Sequence, residues 1–184
     1  MKKLFYVRHS LKEGDVISAE GLVKAKELGM RFSETVTDLF HGILVRTAQT
    51  LIAVMTGMGK FCENTTLHPV IEEIGTQDLF DEMVTPAFKE ARKTASSNLE
   101  ALMMENIEVS NFPFFLHNSG AGVEKMFSMM SDGGVGLAIG HDPIISLATE
   151  HFGLKLNGYQ MKELEYIIFT EENGKITAEF GWDN

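Results

Sequence analysis

Cysteine is nearly missing from this chain. Cys62 stands alone among 184 residues, which rules out an internal disulfide and a thiolate zinc cluster within one chain. Positive charge is scarce as well. Sixteen Lys and Arg face 26 Asp and Glu, for a formal net charge of -10, and such a surface repels nucleic acid and anionic membrane alike. An anionic ligand would therefore need a local basic pocket. Long apolar runs are also lacking. After Lys2-Lys3 only Leu4 to Val7 are uninterrupted apolar residues, too few for a signal-peptide core, and no other stretch approaches membrane-spanning length. The chain is accordingly expected to be cytoplasmic, with no membrane or nucleic-acid partner. Nor do the six histidines form a two-His helical pair or an H-E-x-x-H pattern, so no metal is expected. Gly120-Ala121-Gly122 lacks the third glycine of a dinucleotide loop, and neither a P-loop nor a G-x-S-x-G elbow occurs. No cofactor is expected.

What the chain does contain is an ordinary globular balance, 44% hydrophobic and 23% charged, in a length suited to one domain over 1–184. Lys2-Lys3-Leu4-Phe5-Tyr6-Val7 reads as a short buried strand that stops abruptly at Arg8-His9-Ser10. Ser18 is a candidate cap for a helix carrying Leu22, Val23, Ala25, Leu28 and Met30 and running to about Ser33, with Gly29 as a tolerable interruption. Leu39 to Val45 reads as a second strand, ending at Arg46-Thr47-Ala48-Gln49-Thr50, and a helix follows to the Gly57-Met58-Gly59 break. Thr65 to His68 reads as a third strand, after which Pro69 leads into Val70-Ile71-Glu72-Glu73-Ile74.

From about 76 to 133 the alternation of strand and helix lapses. This segment reads as a mainly helical cap inserted over one rim of the sheet, with Asn111-Phe112-Pro113-Phe114-Phe115 as a loop or bend. It holds nine Asp and Glu against four Lys and Arg, so a strongly basic lid is not expected. The alternation returns at Gly134 to Ile139, a strand that stops at Gly140-His141-Asp142-Pro143, with Asp142 as the expected cap of a following helix. Leu164 to Thr170 and Lys175 to Phe180 then form an antiparallel hairpin around Asn173-Gly174. The fold class is α/β, a three-layer α/β/α arrangement with a mostly parallel sheet, an antiparallel edge hairpin and a helical excursion over the active-site rim.

Strand ends in such a sheet converge on one rim, where ligands bind. The same pattern recurs three times, a buried strand with a sharp end followed by Arg8-His9, by Arg46 or by His141. An arginine offers a planar fork of donors for phosphate oxygens, and a histidine offers a nitrogen nucleophile or base near neutral pH. In this ordered set the chain resembles the histidine phosphatase superfamily, which includes the phosphoglycerate mutases and the small phosphohistidine phosphatases. The resemblance runs from Phe5-Tyr6-Val7-Arg8-His9 through Ser18-Ala19-Glu20-Gly21, Arg46-Thr47-Ala48-Gln49-Thr50 and Val70-Ile71-Glu72-Glu73-Ile74 to Gly140-His141-Asp142-Pro143.

The resemblance implies that His9 is the nucleophile that becomes phosphorylated, that Arg8, Arg46 and His141 bind the phosphoryl oxygens, and that a glutamate delivers the leaving-group proton. Aligning Ile71 favours Glu73 for that last role over its neighbour Glu72, with Asp81 and Glu82 as outside candidates. Two departures from the family pattern stand out. Ser10 replaces a usual glycine, and its hydroxyl is a candidate phosphate contact. Gly42 occupies the place of a common serine. The expected activity is metal-independent hydrolysis of phosphomonoesters through a phosphohistidine, by a monomer or homodimer acting on a small phosphorylated metabolite or a phosphohistidine protein. A phosphoglycerate-type mutase and a catalytically idle phospho-ligand module are the alternatives. His41, His68, His117 and His151 read as structural or surface residues, and the Met and Phe positions of the excursion as core.

Overall fold

The computed structural model describes residues 1–59, 65–69, 79, 81, 83, 85–105 and 111–181. Among these residues the main sheet has six strands: β1 (Lys2–Arg8), β4 (Asp38–His41), β5 (Thr66–Leu67), β6 (Val135–Gly140), β7 (Tyr166–Glu172) and β8 (Lys175–Phe180). They lie in the order β5-β4-β6-β1-β7-β8. The first four run parallel, while β7 and β8 are antiparallel at one edge. A two-stranded ribbon, β2 (Lys12–Glu13) and β3 (Val16–Ile17), follows β1. The edge hairpin turns at Asn173 and Gly174, both at positive φ, 53° and 75°, the conformation an Asn-Gly pair favours in a two-residue hairpin turn.

Alternate strand positions feed opposite faces of the sheet. Phe5, Val7, Leu137 and Ile139 bury themselves under α1 (Ala19–Arg31) and α2 (Val45–Met58). Leu4, Tyr6, Phe40 and Ala138 do the same under α5 (Asn111–Met129) and α6 (Asp142–His151). Helices thus cover both faces, as an α/β fold requires. A third cluster joins α3 (Pro86–Ala91) and α4 (Asn98–Glu105) to α6 through Phe88, Leu99, Leu102, Ile144 and Leu147. The excursion therefore packs on the helix that His141 begins. No helix among the described residues is long and apolar enough to cross a membrane.

Several local expectations are corrected. Ser18 caps α1, accepting from the Gly21 amide at 3.0 Å, but Leu22, Val23 and Met30 face solvent. The buried stripe of α1 is instead Gly21, Ala25 and Gly29. A β-carbon on Gly29 would come within 2.0 Å of the Val54 carbonyl oxygen, so Gly29 lets two helix backbones touch and is no interruption. The strand expected at Leu39–Val45 stops at His41, and α2 already includes Val45. Arg46 therefore sits in the first turn of a helix. Asn111 to Phe115 open α5 instead of bending, because Pro113 falls in the first turn, where a missing N–H removes no intrahelical bond. His141, and not Asp142, is the cap residue of α6.

Candidate active site

The register of β1 against β6 builds the centre of the site. Arg8 pairs with Gly140, and the His9 amide continues the ladder by donating to the Gly140 carbonyl at 2.9 Å. The next residues on each strand, His9 and His141, consequently leave the sheet side by side. Their ring centroids lie 5.1 Å apart at an interplanar angle of 65°. Both are buried.

His9 Nδ1 lies 2.8 Å from the Ser10 carbonyl oxygen. A carbonyl accepts only, so Nδ1 carries the proton and Nε2 keeps its lone pair. Burial holds the His9 pKa down at about 4, against the pull of that same carbonyl, and the Arg46 and Arg8 charges push it further in the same direction. The ring is neutral near pH 7, the state an imidazole nucleophile needs. Burial also lowers His141, to about 3, with His9, Arg46 and Arg8 adding to the effect. His141 is therefore neutral near pH 7. The positive charge of the site is that of its two arginines.

Arg8 is fixed by neighbours from the loop before β7. Its guanidinium donates to the Met161 carbonyl and pairs with Glu163 Oε1 at 3.2 Å. Arg46 has a looser partner in the exposed Asp15, 3.9 Å away, and burial lowers its pKa. Among the described residues, Nε of Arg8 and Nε of Arg46 are buried with no hydrogen-bond partner. A buried donor left unmade costs on the order of 1–3 kcal/mol, and two such donors beside one neutral imidazole mark a place where acceptor oxygens belong.

Ser10 corrects another expectation. Fully buried, its hydroxyl donates to the Gly21 carbonyl at 2.8 Å, so its one proton is committed away from any phosphate. Its amide donates to Thr50 Oγ1 at 3.2 Å, and the Thr50 hydroxyl donates in turn to the Arg46 carbonyl at 2.8 Å. Ser10 clamps the loop that carries His9 to α1 and to the first turn of α2, which sets His9 relative to Arg46. Glu73, Glu72 and Glu82 lie outside the described residues, and Asp81 is exposed.

Sequence reasoning missed the layer behind these groups. Asp142 is buried, and burial raises its pKa. Its carboxylate accepts from Gln160 Nε2, from Ser146 Oγ at 3.0 Å and from Asn98 Nδ2 at 3.3 Å. Gln160 Oε1 also accepts from the Asn98 amide at 2.9 Å. One ring of hydrogen bonds thus joins the excursion, the residue after His141 and the residue before Met161, whose carbonyl holds Arg8. Asp142 was legible as a polar residue at a helix start, but Gln160 and Asn98 carry no local signal of this pairing. His68 has a structural partner, its Nε2 lying 2.7 Å from the buried carboxylate of Asp38.

Sequence comparison finds no matching family model and no matching curated protein. Structural comparison is decisive about the fold. The chain is similar to a phosphoglycerate mutase from Bacillus anthracis, with a TM-score of 0.68 over 97% of this chain and 91% of the other at 13% identity. This chain has the phosphoglycerate mutase-like fold. A phosphoserine phosphatase from Entamoeba histolytica superposes with a TM-score of 0.68 over 100% of this chain and 98% of the other at 12% identity. An alpha-ribazole phosphatase from Shigella flexneri does so with a TM-score of 0.62 over 99% and 100% at 14% identity. These neighbours are members of the histidine phosphatase superfamily.

Proposed function

We propose that the protein is a phosphatase that hydrolyses phosphomonoesters through a phosphohistidine on His9. The observation that carries this reading is the neutral His9, its Nδ1 proton given to the Ser10 carbonyl, placed with two guanidiniums whose Nε donors are buried and unpaired. In the first step Nε2 attacks phosphorus as the bond to the leaving oxygen breaks, and that oxygen takes a proton from a carboxylic acid. Water then attacks phosphorus, the Nε2–P bond breaks, and the carboxylate recovers a proton from the water. Arg8 and Arg46 hold the equatorial oxygens, where phosphoryl transfer concentrates its charge. A dianion arriving beside His141 favours the protonated ring and makes it a third donor. Glu73 is the assigned acid, on the strength of the family resemblance.

The arginine pair supplies the electrostatic work that a metal ion performs elsewhere, and the reaction is proposed to need none. Two of the similar structures are named as phosphatases and one as a mutase. A mutase must hold a second anionic group, and the excursion's Arg92 is engaged by Asn98 Oδ1 and the Ala95 carbonyl. The phosphatase reading is the better supported. Hydrolysis of an aryl phosphate by the pure protein, with and without chelator and beside His9→Ala, tests it. Chelator-resistant turnover that vanishes in His9→Ala is expected, and turnover that survives in the variant overturns it. Glu73→Gln is expected to slow an alkyl ester, whose leaving oxygen needs the proton, about a hundredfold, and an aryl ester much less.

A further inference from the structure

Among the described residues, Asn157, Leu164 and Asn173 are the non-glycine residues at positive φ. Asparagine tolerates that region, but a leucine there crowds its Cβ against the following carbonyl. Leu164, at φ 67°, is the third residue of a turn closed by the Glu165 amide, which donates to the Lys162 carbonyl at 3.2 Å. Glycine is the usual occupant of such a position. A strained backbone persists only where its surroundings hold it in place, and residues of this kind cluster at functional sites.

What this turn holds is Arg8. The Leu164 amide donates to the Arg8 carbonyl at 3.1 Å, and the Arg8 amide donates to the Glu165 carbonyl at 2.9 Å. The Glu165 carboxylate is pinned in its turn, accepting from the Tyr159 hydroxyl and from the Lys162 amide, each at 2.7 Å. Between these clamps Glu163 Oε1 meets Arg8 Nη2 at 3.2 Å, while Nη1 donates to the Met161 carbonyl. The loop thus engages both terminal nitrogens of the guanidinium, and Nε is buried with no partner among the described residues. Arg46 is held less firmly, since its neighbour Asp15 is exposed and 3.9 Å away.

Glu163 carries the wrong sign for a phosphate site. Its carboxylate lies beside Arg8 at 35% exposure, where its charge opposes an arriving dianion. Its contribution is therefore geometric. A guanidinium gripped at both ends offers its remaining donor in one fixed direction. We propose that Glu163 is a positioning residue of the phosphate site, its carboxylate aiming Arg8 Nε–H at the phosphoryl oxygens while weakening the hold on the free anion. The inference rests on the phosphatase reading and adds to it a residue that raises turnover and lowers phosphate affinity.

The test compares turnover of an aryl phosphate with calorimetric binding of inorganic phosphate. Glu163→Ala is expected to lower kcat about tenfold to a hundredfold and to bind phosphate about threefold more tightly. Glu163→Gln keeps an oxygen that accepts from Arg8, and is expected to recover most of the lost kcat while still binding phosphate more tightly. In an Arg8→Ala background the effect of Glu163→Ala on kcat is expected to vanish, as it does for a residue that acts through another. An unchanged kcat in Glu163→Ala, weaker phosphate binding in either variant, or a kcat loss that persists without Arg8 would each overturn the proposal. A loss that Gln does not recover, together with a lower melting temperature, would make Glu163 a structural residue and overturn it as well. Should Glu163→Ala fail to fold, the phosphate affinity of Glu163→Gln decides. A wild type that binds phosphate and hydrolyses no ester sinks the phosphatase reading alone, and the affinities of the variants then still decide the proposal.

Discussion

The ends of β1 and β4 make the same local structure and different chemistry. At each, a histidine closes the strand and places Nδ1 2.8 Å from the carbonyl oxygen of the following residue, His9 with Ser10 and His41 with Gly42. The backbone device that selects the tautomer is common to both. At His9 it is joined by Arg8, Arg46 and His141, by nearly complete burial, and by a pKa held at about 4. At His41 the neighbouring space is a small cavity lined mostly by apolar residues such as Phe40 and Met126. The locked tautomer is shared by both histidines, and the surrounding cations and burial set His9, the proposed nucleophile, apart from His41.

The largest effect that tests this comparison is the loss of the proposed nucleophile. His9→Ala is expected to lower kcat by about 10⁴ or more, whereas His41→Ala still forms a phosphoenzyme. Loss of the phosphoenzyme in His41→Ala would erase the distinction. Next comes the charge around His9. Arg46→Ala is expected to lower kcat/KM by about 10²–10³, and Arg46→Lys to recover only part, since a point charge lacks the planar fork.

A smaller effect separates position from charge. Gln160→Ala breaks the ring that joins Asp142 and Asn98 while leaving both arginines and both histidines in place. It is expected to cost about tenfold in kcat/KM, a typical loss when the groups orienting a site are removed, with the pH midpoint of His9 unmoved. A shifted midpoint would mean that the ring sets charge as well. Finally, an NMR titration of the His9 ring is expected to show protonation only as pH falls through about 4. Arg46→Ala should raise that midpoint, because the guanidinium lowers it. A midpoint near 6.5 would place His9 in an environment no different from water.

The skeleton of the site was legible because sharp strand ends are written in the residues. Val7-Arg8-His9 and Ile139-Gly140-His141 each change from apolar to polar in one step, and parallel pairing brings the two steps level. The strand before Arg46 was read four residues too long, since Ile43-Leu44-Val45 continues an apolar run past the point where the backbone turns into α2. Ser10 was read as a phosphate contact because its hydroxyl follows Arg8-His9, and only the approach of Gly21 shows where its proton goes. The Met161 carbonyl that holds Arg8 has no side-chain signature at all. Asn111 to Phe115 misled because proline and aromatics favour loops, except in the first turn of a helix. Glu73, which rests on the spacing from Ile71, stays a sequence-level assignment.

The most direct test of the central claim is to trap the intermediate. The protein is incubated with a labelled phosphoryl donor, quenched in base, and the labelled peptide is mapped by mass spectrometry. An acid-labile, base-stable phosphoryl group on residue 9 that forms in the presence of chelator, and is lost in His9→Ala, is the predicted result. A label on another residue, or turnover with no covalent phosphate at any time point, would contradict the assignment of His9 as the nucleophile.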